Sequence, residues 1–254
     1  MWLQLNLIPS RGRPGRQEET MIRMKIAFVL RLVDDYSGQC IRKKKFTFCI
    51  GGRVVHPVEK EEGLYVFLEP QEDQTRIWIE STDYHSCSVL IEKKLLDPSE
   101  PVADVRLYGK PGKNFPYACG LLTGILKKPG CSFPVEVYAR RSRPTGLVLK
   151  ECRNLEGDYW LFFQGFTREN LIGRPCVLGE GEQAVTFILT EKRGINEYRM
   201  ELEGKPPDGL KEGTPLHRIF RSVTDASGAY AIPVDCGEEE FIQEVMILQY
   251  RLPS

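Results

Sequence analysis

The chain has 254 residues, and its 35 basic and 35 acidic side chains cancel to a net charge of zero. Balanced charge removes the long-range positive field that a dedicated nucleic-acid binder projects, so no nucleic-acid partner is expected. No apolar run approaches the about eighteen residues that a membrane-spanning helix needs, so no membrane span is expected either.

Residues 1–23 differ in character from the rest of the chain. Residues 1–8 are apolar but lack the basic flank and small-residue cleavage site of a secretory signal. Residues 10–19 are polar, contain Gly and Pro and show no periodicity, which predicts a flexible arm, with Met21 and Met24 as alternative starts. Without a signal, disulfides are not expected. The eight cysteines, at 40, 49, 87, 119, 131, 152, 176 and 236, read as free and mostly buried thiols of a cytoplasmic protein. They contain no C-x-x-C pair, so structural zinc has no signature and no cofactor is expected.

A first β unit is expected over residues 24–97. Lys25 to Val33 is a β-rich run closed by Asp34-Asp35-Tyr36-Ser37-Gly38, where Asp and Ser can bond nearby amides and Gly accepts positive φ. Phe46-Thr47-Phe48-Cys49-Ile50 alternates as a half-buried strand, followed by Gly51-Gly52 and by strands at 64–68, 77–80 and 88–92. Four prolines between 98 and 117, with the residues around them, predict an extended, semi-rigid linker over that stretch. A second unit over 118–193 has strands at 121–126, 135–138, 146–150, 159–163 and 185–189, with 167–181 as a helical turn or longer functional loop. A third, over 194–254, has strands at 198–203, 219–223 and 245–250, broken by the turn cluster at 204–209. Short strands separated by turn chemistry, with no long helical period, indicate an all-β sandwich class.

One phrase recurs in all three units: a turn glycine, a spacer, a tyrosine and an apolar run, at Gly63-Leu64-Tyr65, Gly157-Asp158-Tyr159 and Gly228-Ala229-Tyr230. A period of this kind suggests three units in tandem, with the second and third either separate or packed as one body. The phrase at Val223-Thr224-Asp225-Ala226-Ser227-Gly228-Ala229-Tyr230 resembles the transthyretin-like sandwich modules that include carboxypeptidase regulatory-like and Cna-B-type domains. Val33 to Gly38 followed by Glu62 to Phe67 is similar to them as well, with Glu61 or Glu62 in place of the Asp; in the second unit Asn154 to Glu156 take its place. The resemblance implies a hairpin in which Asp and Gly make the turn and Tyr starts a core strand. It also implies a spacer, stalk or assembly element rather than an enzyme. The Lys–Asn isopeptide crosslink of some relatives is not expected, because Asn6, Asn114, Asn154, Asn170 and Asn196 all lie off the predicted closing strands.

Candidate chemistry is sparse. His85-Ser86-Cys87 brings a base and two nucleophile types together, but without the orienting third group of a triad, so a hydrolase site near His85/Cys87 is the lesser alternative. Neither His56 nor His217 adds a motif. Arg42-Lys43-Lys44-Lys45 and Arg140-Arg141-Ser142-Arg143 are basic clusters that read first as solvated turns. Asp34, Asp35 and Asp225 lack the spacing of a calcium loop. Tyr159, Leu161 and Phe163 share one strand face and Trp160 and Phe162 the other, so this strand is buried twice or meets a partner; an exposed Trp160 face would stack on sugars. No catalytic, cofactor or metal residue is assigned. The expectation is a non-enzymatic structural or adaptor protein with protein partners in a larger assembly. A phage-tail-like or contractile injection particle is its analogue by fold, and a carbohydrate-binding or adhesive protein is the alternative.

Overall fold

The structure is a computed structural model, and it describes residues 2–4, 23–68, 72–110, 119–126, 134–155, 157–180, 184–202, 210–235 and 241–247. Of the arm expected at 1–23, Trp2–Gln4 is a strand paired with the one that begins at Arg23, while 5–22 and the turn cluster at 204–209 lie outside the described residues. Strands dominate, and among the described residues the helical segments are single 3-10 turns at Glu61–Gly63 and Lys93–Leu95, so the expected all-β sandwich class holds. The chain divides into two compact units, one of Met1–Val33, Cys40–Thr82 and Ser86–Arg106, the other of Asp34–Gln39, Asp83–His85 and Leu107–Ser254.

The first unit is a two-sheet sandwich. Its strands are β1 (Trp2–Gln4), β2 (Arg23–Asp34), β3 (Thr47–Ile50), β4 (Arg53–Val55), β5 (Val58–Lys60), β6 (Leu64–Leu68), β7 (Gln74–Glu80), β8 (Cys87–Glu92) and β9 (Val102–Leu107). One sheet has the order β1-β2-β6-β5, with β9 also on β2, and the other the order β4-β3-β7-β8. β7 alternates strictly, burying Thr75, Ile77 and Ile79 and exposing Gln74, Arg76, Trp78 and Glu80, because one of its faces is covered. β2 is a nearly unbroken apolar run because both of its faces are covered: Phe28, Leu30 and Leu32 are fully buried, while Ile26 and Val29 pack with Val66 in a separate cluster. Aromatic rings fill the space between the sheets. Phe28 stacks on Phe67 at 4.8 Å, and Phe48 meets Tyr65 at 4.8 Å and Phe67 edge-on at 5.6 Å. Part of the expected linker is structured, since β9 pairs with β2 and buries Val105 and Leu107. Pro98 and Pro101 precede this strand, so every residue inside it keeps its amide.

The second unit contains β10 (Cys119–Ile125), β11 (Glu136–Arg141), β12 (Leu147–Leu155), β13 (Asp158–Gly165), β14 (Pro175–Leu178), β15 (Val185–Arg193), β16 (Glu197–Glu201), β17 (Leu216–Val223), β18 (Ala229–Asp235) and β19 (Phe241–Ile247). Eight of them form one sheet in the order β12-β13-β16-β15-β14-β17-β11-β19, and β10 pairs with β18. The first six strands of that order close on themselves. Leu149 N–H donates to the Thr214 carbonyl at 2.8 Å, Gly213 N–H to the Leu149 carbonyl at 2.8 Å, and Thr145 N–H to the Leu216 carbonyl at 2.9 Å. The result is a small barrel filled by Leu147, Leu149, Leu161, Phe163, Leu189 and their neighbours, which removes the free edges those strands would otherwise present. Beyond it, β11 and β17 pack against the β10-β18 pair around Val137, Ala139, Phe220, Ile232 and Val234. Strands from the range expected for a second module (β11, β14) and from that expected for a third (β17, β19) are neighbours in the same sheet, so 118–193 and 194–254 interleave. Within 167–181, read as a loop, Pro175–Leu178 is a fully buried strand between β15 and β17.

The three phrases share turn chemistry but differ in setting. Their glycines all have positive φ, 73° at Gly63, 96° at Gly157 and 84° at Gly228, which disfavours any residue with a Cβ. The first two turn between paired neighbours, β5 to β6 and β12 to β13. The third carries the chain from the eight-stranded sheet to the β10-β18 pair, so it changes layer instead of closing a hairpin within one sheet.

Candidate functional site

On β17 the sequence Leu216-His217-Arg218-Ile219-Phe220-Arg221-Ser222-Val223 alternates faces, and both faces are covered. Leu216, Arg218, Phe220 and Ser222 share the inner face. Leu216 belongs to the barrel core and Phe220 to the sandwich core, so Arg218 sits at the seam between two cores. Its guanidinium lies over the Phe220 ring at 4.9 Å. Arg218 Nη1 donates to Asp235 Oδ2 at 2.7 Å and stands 3.7 Å from Glu169 Oε2. Glu169 Oε1 in turn accepts from Arg141 Nη1 at 2.6 Å. Asp235 Oδ1 accepts from the Tyr36 hydroxyl at 3.0 Å, and the Tyr36 carbonyl accepts from Arg174 Nη1. Burial, then the neighbouring Arg218, lowers the Arg174 pKa from the usual arginine value.

The opposite face of β17 carries a second pair. Arg221 Nε donates to Asp35 Oδ2 at 3.1 Å, and its Nη2 donates to Asp35 Oδ1. Burial by itself would lower the Arg221 pKa, but the Asp35 charge beside it leaves the guanidinium above its ordinary value. The Tyr108 ring lies 5.8 Å from the Arg221 guanidinium, and burial holds its phenol well above the usual range, opposed by Arg221 and reinforced by Asp35 and Glu136.

Both pairs depend on the turn at 34–38, whose geometry is local. Asp34 Oδ1 accepts from Ser37 N–H at 2.7 Å, its Oδ2 accepts from the Tyr84 hydroxyl at 3.2 Å, and Gly38 N–H donates to the Asp34 carbonyl at 2.8 Å. Gly38, at φ 68°, lies so near Gly173 that an added Cβ would be 2.8 Å from the Gly173 carbonyl oxygen. The turn at 225–228 is built the same way: Asp225 Oδ1 accepts from Ser227 N–H at 2.8 Å, Ser227 Oγ–H at 2.7 Å and Ala229 N–H at 3.0 Å. Thr224 next to it is buried and its Oγ1 accepts from Val135 N–H at 2.9 Å, tying the turn to the start of β11.

The crevice lined by Asp35, Tyr36, Pro175, Arg218, Phe220, Arg221 and Pro233 has no room for a water molecule. Arg218 Nε and Ser222 Oγ are buried there or nearby without a hydrogen-bond partner among the described residues. The arrangement thus neutralises charge between packed strands.

The sequence-derived candidates are dispersed. His56 is exposed. His85 lies in the second unit, its N–H donating to the Tyr108 carbonyl at 2.8 Å, and burial followed by Lys110 lowers its imidazole pKa. Cys87 begins β8 in the first unit. His217 is buried with Nδ1 2.9 Å from the Arg141 carbonyl, so Nδ1 carries the proton; burial lowers its pKa as well. Cys40, Cys49, Cys87, Cys152 and Cys176 are free thiols, and burial pushes Cys176 up to about 12. Among the described residues, no three of His, Cys, Asp and Glu stand close enough to hold a metal ion, and no helix is long and apolar enough to cross a membrane. The cluster 42–45 is a mostly exposed turn, with Lys43 at φ 56°. Arg140 and Arg141 pair instead with Glu180 at 2.8 Å and Glu169 at 2.6 Å.

Trp160 does not offer a stacking surface. It is 2 % exposed, with the Arg193 guanidinium 4.2 Å from its ring centroid, while Arg153 covers Phe162 at 4.8 Å. Among the described side chains, the tryptophan on an open face is Trp78 on β7, 37 % exposed. Arg218, Arg221, Glu169 and Asp235 belong to no motif, and the one signal for them in the sequence is a pair of arginines inside a run otherwise fit for double burial. Comparison of the chain with family models, curated proteins and solved structures finds no match.

Proposed function

We propose that the protein is a non-enzymatic structural or adaptor component of a larger protein assembly, built from sandwich modules related to the transthyretin-like class. The observation that carries this reading is the ionic seam: Arg218 and Arg221 pair with Asp235 and Asp35 between packed strands, in a crevice without room for a substrate. Such pairing specifies how strands and loops fit and supplies no reacting group. Kinship with transthyretin-like modules is supported by Asp225, which braces the Gly228 turn as the phrase implies, although that turn changes layer instead of closing a hairpin within one sheet. Exposed apolar side chains, among them Leu121, Ile125, Phe166 and Ile195 in the second unit, offer surface for protein contact.

Mild lysis of the source cells, capture of the tagged chain and mass spectrometry of co-purifying proteins tests the reading. Stoichiometric partners in a particle visible by negative stain are the expected outcome. A chain recovered without partners, or one that turns over a substrate in a manner lost on changing His85 or His217, overturns it.

A further inference from the structure

The outward face of the four-stranded sheet in the first unit carries side chains that complement themselves. Cα pairing puts Val54, Cys49, Trp78 and Ser88 in one row across β4, β3, β7 and β8. Val54 is 56 % exposed and Trp78 37 %, and Leu90, which pairs with Arg76 one step along, is 44 % exposed. Cys49 and Ser88 are half-buried. Arg76 and Glu80 stand two residues to either side of Trp78 on β7, and all three point outward. Glu80 Oε1 accepts the indole Nε1–H at 2.6 Å, which orients the ring along the strand toward Glu80.

We propose that this face is the interface between two copies of the chain, related by a two-fold axis lying along the Val54–Cys49–Trp78–Ser88 row. Such an axis reverses strand direction from one copy to the other. Each residue of the row then meets its own counterpart, and Arg76 of each copy faces Glu80 of the other, twice. The charges select this arrangement over its competitor, because stacking the strands in the same direction would set Arg76 over Arg76 and Glu80 over Glu80. A two-fold interface uses one patch twice, as this pattern requires. A central tryptophan with an arginine beside it and aliphatic neighbours is the composition of an interface core. The same neighbours disfavour a sugar, whose hydroxyls would lose water above Val54 and Leu90 without gaining a partner. Self-association through this face is independent of the assembly role. A monomer overturns this face and leaves the role standing, and a dimer that co-purifies with nothing else does the reverse.

Sedimentation equilibrium of the full chain is the test. A concentration-dependent dimer is expected, abolished by Trp78→Glu. Arg76→Glu, which sets two carboxylates against each other, weakens dimerisation by at least about tenfold, and the double exchange Arg76→Glu with Glu80→Arg restores it. Far-UV circular dichroism confirms that each variant is folded, and the rescue excludes general damage. A short bismaleimide should link two wild-type chains through Cys49 and fail to do so in Cys49→Ser. A wild-type monomer at every concentration, a dimer indifferent to Trp78→Glu, an exchange that does not rescue, or a monomer that binds glycans through Trp78 overturns the proposal.

Discussion

The interiors of the two units are held by different chemistry. In the first, Phe28, Phe48, Tyr65 and Phe67 pack ring against ring between two sheets, and each neighbour needs only to be apolar and of about the right size. In the second, a strand shared by two cores carries Arg218 and Arg221, and each guanidinium needs one particular carboxylate in one particular place. The partners are far apart in the chain, separated by 186 positions for Asp35 and Arg221 and by 199 for Tyr36 and Asp235. An aromatic interior therefore rewards collapse, whereas an ionic seam rewards one arrangement and penalises the rest.

The sharpest way to separate them is to remove one partner from each. Asp35→Ala strands the buried Arg221 charge and should cost about 3–5 kcal/mol in urea unfolding. Changing both partners to apolar residues, Asp35→Leu with Arg221→Met, should return most of that loss. Phe48→Ala should cost a similar about 3–5 kcal/mol through the cavity it leaves, with no compensating charge change available. If Asp35→Ala proves as mild as a surface substitution, the seam is not what holds the second unit.

Acid should weaken the second unit through its histidines. His217 and His85 are both held below the ordinary imidazole value of about 6.5, so the folded state favours the neutral ring and the unfolded state binds the extra proton. Their contribution is fully present above about pH 6.5 and is lost as pH falls through the lowered folded values. Thermal midpoints recorded from about pH 7.5 down to about pH 5 should decline, and His217→Asn, whose amide can still donate to the Arg141 carbonyl, should flatten the decline.

Turn contributions should follow bond number. Asp225→Ala removes three hydrogen bonds and should cost about 1–2 kcal/mol, whereas Asn154→Ala removes the single 3.1 Å bond from Gly157 N–H and should cost about 0.5–1 kcal/mol. Equal losses would mean that the glycines, not the Asx side chains, make these turns.

The smallest effect belongs to the pair that looks strongest on distance alone. Arg31 donates twice to Asp104, at 2.6 and 2.7 Å, yet the side chains are 44 % and 40 % exposed. Asp104→Asn should change stability by less than about 1 kcal/mol, because water screens the pair and already solvates both partners.

Much of the fold was legible because strand periodicity and turn chemistry are local. The strand expected at 77–80, the turn at Asp225 and the run of Tyr159 to Phe163 with two apolar faces all stand where their side chains predict, the first beginning earlier, at Gln74. The candidate site was not legible. Pro175 to Leu178 carries proline and cysteine in a stretch whose natural reading is a loop, and only its place between β15 and β17 makes it a strand. The Trp160 face, open to a partner as far as alternation can tell, is closed by Arg193 from a strand more than thirty residues on.

The sequence by itself determined the all-β class, most strand positions and the three glycine turns, since each depends on φ, on side-chain period or on hydrogen bonds within a few residues. Tertiary structure alone decided that the last two expected modules share one sheet, that six strands close into a barrel and that Arg218 and Arg221 meet their carboxylates beside it. Those outcomes depend on which distant segments come to lie side by side, and a pairing between residues 199 positions apart leaves no mark on the residues next to either partner.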